Sequence, residues 1–261
     1  MIKKMKKFIK KKPKIYQMLS YIYRFFFVDM KNLILFGAIE KKEYIIVPNK
    51  KIVYLNNSKV ACSSIKSTFI LDETPDDYSI HSKVKDLSRE YYAHEEREYF
   101  KFTFVRNPFD RLVSCYESKY KQDRKLGKKK LHFDDYLFGY LREDKGFEIF
   151  LKKVILIPDF LADRHFQSQY KLIYDKKNRC LVDFVGKYEN LSKDFSDIQK
   201  KYNLGNLPHF NKTTKNNWMD YYNLETAKLV YDKYTKDIEV FEYKIEYQQL
   251  LNYLSDKSNF I

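Results

Sequence analysis

The chain has 261 residues, of which 44% are hydrophobic and 18% aromatic; this excludes intrinsic disorder for the chain as a whole and fits a domain of ordinary size with a proper core. Fifty basic against 35 acidic residues give a formal charge of +15, a field that concentrates anionic small molecules, acidic glycans, nucleic acid or an anionic lipid surface. Three cysteines, Cys62, Cys115 and Cys180, have neither disulfide nor metal-ligand spacing, which argues against a disulfide scaffold and suits a reducing compartment such as the cytoplasm.

The chain opens on a basic arm. Lys3, Lys4, Lys6, Lys7, Lys10, Lys11, Lys12 and Lys14 precede an aromatic, apolar stretch over 15–27. The apolar run over 21–39 is interrupted by Arg24, Asp29 and Lys31 and does not qualify as a transmembrane helix. It also lacks the uninterrupted core and small-residue cleavage site of a signal peptide. Two readings stand: residues 1–27 rest on an anionic membrane, each lysine contributing roughly 1 kcal/mol near the surface, or they form a solvated terminus. Residues 1–40 are thus expected as an arm and 41–261 as the main domain.

A short apolar strand, Ile52–Leu55, then leads through small and hydroxyl residues into a helix expected over 65–71. A strand, tight turn and helix start bring backbone N–H groups together and carry partial positive charge, a pocket for a multiply charged anion. Ser63 or Ser64 is expected to cap the helix and offer a hydroxyl, and Lys59 to place an ammonium over the same spot. The layout is that of a Walker A loop without its glycines and without Gly-Lys-Ser/Thr, so an NTP-cradling loop is not written here.

Residues 74–100 read as loop with one short helix. The pattern of the first site then recurs: 101–105 reads as a buried strand and Arg106-Asn-Pro-Phe-Asp-Arg-Leu-Val-Ser-Cys-Tyr116 follows directly. Asn107 suits the cap and Pro108 the first helical position. Phe109, Leu112, Val113 and Tyr116 form the core-facing stripe. Arg106 at the strand end and Ser114 two turns up the helix are placed to close on one phosphate, and Arg111 reads as a structural ion-pair residue or a further phosphate contact. Two such sites suggest one ligand with two separated anionic groups. A basic loop spans 119–130, helical periodicity runs over 133–155 and 191–203, a strand over 181–185, and a long helical stretch over 223–254 breaks near Glu242. Strands alternating with helices predict an α/β fold with a central parallel sheet flanked by helices and ligand at the strands' carboxyl ends.

These residues resemble a known family. Ser58-Lys-Val-Ala-Cys-Ser-Ser-Ile-Lys66 is similar to the 5′-phosphosulfate loop of carbohydrate sulfotransferases of the Golgi-type and bacterial branch, which use 3′-phosphoadenosine 5′-phosphosulfate (PAPS). Ser58 stands where that family usually has proline. Residues 102–116 resemble its 3′-phosphate motif almost throughout, and 183–191, 163–169, 209–211 and 231–243 follow in the family's order. The resemblance covers about 51–243 and implies a P-loop-NTPase-like sulfotransferase fold.

It also implies residue roles. Lys59, Val60, Ala61, Cys62, Ser63 and Ser64 would hold the 5′ end, with Lys59 neutralising the leaving 3′,5′-ADP. Arg106 and Ser114 would hold the 3′-phosphate, with Lys212 touching it. Tyr188 would lie against the adenine or pack at a strand end. His81 is the candidate base, with His165 its rival and a glutamate an alternative; His94 reads as exposed and His209 as shaping the cofactor end. No metal is implied. The acceptor expected is a hydroxyl of an anionic cell-surface glycan or glycolipid precursor, near the 119–130 loop. The setting expected is cytoplasmic, peripheral on the membrane, with no specific nucleic acid. A P-loop-like kinase, or a non-catalytic basic module binding polyanions or membrane, are the alternatives; the first should show a Walker A loop and a magnesium-holding Asp, the second no nucleotide preference.

Overall fold

The computed structural model describes residues 13–70, 80–122, 131–142, 144–208 and 217–258. They divide into two compact units: one gathers the described residues up to Glu40 with Tyr116–Asp163, the other Lys41–Cys115 with the described part of Arg164–Ile261.

The second unit is built on a five-stranded sheet. In chain order its strands are β1 (Tyr44–Val47), β2 (Ile52–Leu55), β3 (Ser88–Arg89), β4 (Phe100–Val105) and β5 (Phe184–Lys187), arranged in space as β3-β1-β2-β4-β5. β2, β4 and β5 run parallel, with Tyr54 opposite Phe102 and Phe104 opposite Gly186. The sheet is therefore mixed rather than wholly parallel: β1 pairs antiparallel with β2 across the turn at Pro48–Lys50, and β3 pairs antiparallel with β1. Every residue of β1 and β2 is buried, as expected of strands covered on both faces.

The core gathers Ile45, Ile52, Tyr54, Phe102, Phe104 and Phe195. Phe195 and Ile198 come from the helix Leu191–Tyr202, close to the expected 191–203, and the Phe195 ring lies 6.4 Å from Phe102 and 6.3 Å from Phe104. β5 begins three residues later than the sequence suggested, and Gly186 is where the Phe104 ring comes so close that no side chain fits. The stretch over 223–254 forms three helices, Leu224–Lys233, Thr235–Val240 and Lys244–Ser258. The break near Glu242 is present, that residue having φ 59°, and a second break falls at Tyr234. Fully buried Asp237 accepts from the Ser168 hydroxyl at 2.6 Å and from the N–H groups of Gln169 and Tyr170 at 2.8 and 2.9 Å, fixing the segment that leads into the helix Gln169–Ile173. Burial raises the Asp237 carboxyl above the usual range, against the opposing effect of those three donors.

The first unit carries a helical run from Pro13 to Phe36, with a π-helical segment at Arg24–Asp29 and an end at Gly37, φ 72°. No described helix is long and apolar enough to cross a membrane. Residues 133–155 are not one helix: a tight turn at Tyr136–Gly139, with Leu137 and Phe138 in left-handed conformations, precedes the helix Phe147–Leu156.

Asp237→Ala should lower stability by about 2–4 kcal/mol, since it strands three buried donors. Gly186→Ala should cost about 1–3 kcal/mol by overpacking against Phe104. Urea denaturation followed by circular dichroism checks both; wild-type midpoints would contradict the assigned packing.

Candidate active site

The site lies where β2 and β4, neighbours in the parallel part of the sheet, end at their carboxyl ends. After β2 the chain passes through Asn56, Asn57 and Ser58, all buried, to half-buried Lys59. Lys59 and Ala61 have φ of 70° and 60°, left-handed conformations that side chains ordinarily disfavour by roughly 1–2 kcal/mol each. Left-handed residues interspersed in such a turn aim successive N–H groups to one side, which makes a concave anion cup.

The helix that follows is Cys62–Ser67, starting three residues before the expected position and ending before it. Neither Ser63 nor Ser64 caps it. Ala61 is the cap residue and has no side-chain bond to give, so both serines sit inside the first turn. Val60 is buried beneath the loop, Ser64 is buried, and Cys62 and Ser63 are half-buried. At the helix end buried Lys66 meets Glu43 at 3.1 Å. Glu43 also takes Arg164 at 3.2 Å, Asn56 at 2.5 Å and Ser88 at 3.0 Å. Burial alone would raise the Glu43 carboxyl, but Lys66 and Arg164 hold it below the usual range. It is therefore an anchor for the loop's far end, poorly suited to accept a proton.

The second turn follows β4. Asn107 Oδ1 accepts from Phe109 N–H at 3.0 Å and caps the helix Pro108–Tyr116, as its sequence predicts. The stripe of Phe109, Leu112, Val113 and Tyr116 is buried, with Phe109 stacked 5.6 Å from Tyr247. The Gln169 amide grips the Arg106 peptide, accepting from its N–H at 3.0 Å and donating to its C=O at 2.8 Å. Glu189 accepts through its carboxylate from Asn107 N–H at 2.8 Å and from the Tyr243 hydroxyl at 3.0 Å. Desolvation raises that carboxyl above its ordinary range.

Arg106 joins the two turns. Its Nε pairs with Asp110 at 2.8 Å, its Nη1 donates to the Lys59 carbonyl at 3.1 Å, and the Tyr188 ring covers the guanidinium at 4.2 Å. These bonds occupy only part of a five-donor fork. Tyr188 thus lies against an arginine, an arrangement neither sequence-based reading described. Ser114 is buried on the helix and is not among these Arg106 partners.

Arg111 is not the ion-pair residue that the sequence suggested. Fully buried, it donates to the carbonyls of Ser58 at 3.0 Å, Gln167 at 2.7 Å and Arg164 at 2.9 Å, and to Asn57 Oδ1 at 3.3 Å. Asn57 in turn donates to Phe104 O at 2.9 Å and Gln169 Oε1 at 3.0 Å. With its guanidinium bonded to three backbone carbonyls and the Asn57 side chain, Arg111 shapes the loop.

Of the candidate bases, exposed His81, on the short helix Ile80–Lys83, has its Nε2 3.4 Å from Ser63 Oγ and so stands directly beside the loop. Half-buried His165 follows Arg164, on the segment bonded to the loop through Arg111. His94 is exposed, as expected. Lys212 and His209 lie outside the described residues, as do residues 123–130 of the basic loop. Glu43 carries no signal in local sequence, and Gln169 and Glu189 are signalled only as members of the segments 163–169 and 183–191; partners distant along the chain give all three their roles.

The profile described as "Sulfotransferase family" matches residues 42–244, most of the chain and both turns. The chain belongs to the sulfotransferase family. Among curated relatives, carbohydrate sulfotransferase 11 of Rattus norvegicus is 23% identical, over 80% of this chain and 72% of its own length. Carbohydrate sulfotransferase 14 of Danio rerio is 27% identical, over 78% of this chain and 63% of its own. No solved structure gives a significant match. This sulfotransferase therefore has the sequence-expected α/β architecture, with a five-stranded mixed sheet flanked by helices.

Arg111→Met should lower stability by about 2–4 kcal/mol, because buried carbonyls lose their donors, and should hasten proteolytic cutting within 56–62. Limited proteolysis with mass mapping checks this; a loop cut no faster than in the wild type would mean that Arg111 does not shape it.

Proposed function

We propose that this sulfotransferase moves a sulfuryl group from PAPS to a hydroxyl of a carbohydrate. One observation carries the reading: two anion cups on adjacent parallel strands are joined by the Arg106 bond to the Lys59 carbonyl, so one bivalent anion can engage both. The donor set suits PAPS: left-handed backbone at 59 and 61, two serines and a lysine at one turn, a partly engaged guanidinium at the other. The names of the relatives support a carbohydrate as acceptor.

PAPS, when bound, supplies an activated sulfuryl group and leaves as 3′,5′-ADP. The backbone of Lys59 to Ser64, with the Ser63 and Ser64 hydroxyls, holds the 5′ end, and Arg106 grips the 3′-phosphate while Tyr188 keeps its guanidinium flat. Lys59 supplies positive charge where negative charge grows on the leaving oxygen. An ammonium at about 4 Å gains on the order of 4 kcal/mol at an effective dielectric near 20, before desolvation. Because that charge appears mainly in the transition state, Lys59 acts on turnover more than on affinity. His81, beside Ser63, takes the proton from the acceptor hydroxyl, a contribution of typically 10²- to 10⁴-fold. Ser114 and Lys212 complete the 3′-phosphate site, and His165 is the second candidate base. An anionic glycan or glycolipid suits the basic 119–130 segment.

Lys59→Ala should cut kcat by about 100-fold or more with less than about fivefold change in 3′,5′-ADP affinity, whereas Arg106→Ala should weaken that affinity by about 10- to 100-fold. His81→Ala should reduce kcat by about 100-fold. Transfer of radiolabelled sulfate from PAPS to defined glycans, with calorimetry of 3′,5′-ADP binding without magnesium, measures all three. Full turnover in the His81 variant moves the base elsewhere; magnesium-dependent binding of ATP in place of 3′,5′-ADP would falsify the sulfuryl-transfer reading.

A further inference from the structure

The helical run from Pro13 to Phe36 has two unlike sides. Its inner side is bonded within its own unit. Ser20 donates to Asp135 at 2.8 Å, the Phe25 ring lies 5.0 Å from Phe138, and Asn32 donates to the Ile39 carbonyl at 2.7 Å. Arg24 lies 5.7 Å from the Tyr136 ring, and buried Asp29 sits 3.7 Å from Arg24. The outer side is apolar and open: Met18, Ile22, Phe26, Phe27, Ile34 and Leu35 are all exposed, Phe27 by 65% and Ile34 by 77%.

The π-helical segment at Arg24–Asp29 keeps the two sides in phase. A π-turn takes more residues than an α-turn, so each residue after it is rotated back relative to an unbroken α-helix. In an unbroken α-helix Asp29 would fall on the same side as Ile15 and Ile22. With the wider turn Asp29 and Asn32 face inward, and Phe26, Phe27, Ile34 and Leu35 stay outward. The apolar face is therefore continuous along the run, and it is larger than scattered surface hydrophobics would explain.

Charge identifies what covers it. Eight lysines lie between positions 3 and 14, directly before this face, and Asp29, turned inward toward Arg24, is the one acidic residue in positions 1–36. A second copy of the same helix would bring apolar surface but no negative charge for the lysines. A surface of anionic lipid offers both. The inward polar side, bonded to the rest of its unit, excludes a spanning orientation and leaves the helix lying flat in the interface.

We propose that the outer face of residues 15–36 docks this enzyme in the plane of an anionic phospholipid membrane, with the preceding lysines on the headgroups. The full-length protein should sediment with phosphatidylglycerol-containing vesicles and not with pure phosphatidylcholine ones, and the bound fraction should fall steeply with added salt. The double variant Phe27→Glu/Ile34→Glu should bind at least tenfold more weakly while keeping the wild-type circular dichroism, melting temperature and 3′,5′-ADP affinity, since both side chains point to solvent. Replacing Lys10, Lys11, Lys12 and Lys14 by Gln should cost about tenfold and flatten the salt dependence. Sedimentation velocity without lipid should give a monomer for both proteins. Failure to bind the anionic vesicles, equal binding by the double variant, or a wild-type dimer that this variant dissolves would each overturn the proposal.

Discussion

Two arginines on one strand–turn–helix hold the backbone of another, and the rest of the site depends on that grip. Arg111 takes the Ser58 carbonyl and the Asn57 side chain, and Arg106 takes the Lys59 carbonyl. Guanidinium groups suit this task because they are planar, permanently charged and carry five donors. Burying Arg111 costs desolvation, and four acceptors offset it. The outcome is a loop held in shape by the protein's own hydrogen bonds.

Around this grip stand carboxylates and amides whose bonds go to the protein's own groups. Asp237 fixes the entry to the helix Gln169–Ile173, which presents the Gln169 side chain to Asn57 and to the Arg106 peptide. Glu189 holds the Asn107 N–H, and Glu43 anchors Lys66 at the far end of the loop helix. Each links segments distant in sequence, so the geometry of the two turns rests on the fold's long-range contacts and not on any one motif.

Much of this was legible in the residues, and the division has a physical cause. The second turn was read almost whole, because a Pro at the first helical position, an Asn cap and a 3.6-residue apolar stripe are local signals that tertiary context did not overrule. The first turn was read for its chemistry but not its backbone. Without a glycine to announce positive φ, nothing local showed that Lys59 and Ala61 turn left-handed, and the serines looked like caps when the cap is Ala61. Arg111 differs for a related reason: an arginine four residues after a cap suggests an acidic partner, and its actual carbonyl acceptors lie more than fifty positions away in the chain. The antiparallel additions escaped because β1 is a short buried run that gives no sign of its direction and β3 is only two partly exposed residues long.

The left-handed residues of the first loop have a consequence for how this loop can change over time. A glycine-rich cradle stores its shape in its own sequence and can be moved between proteins as a cassette. Here Lys59 and Ala61 take that shape without a glycine, and groups at 106, 111 and 169 bond the loop at Asn57, Ser58 and Lys59. A chain ending before Gln169 would contain every residue of this loop and lose the amide that ties Asn57 to the Arg106 peptide.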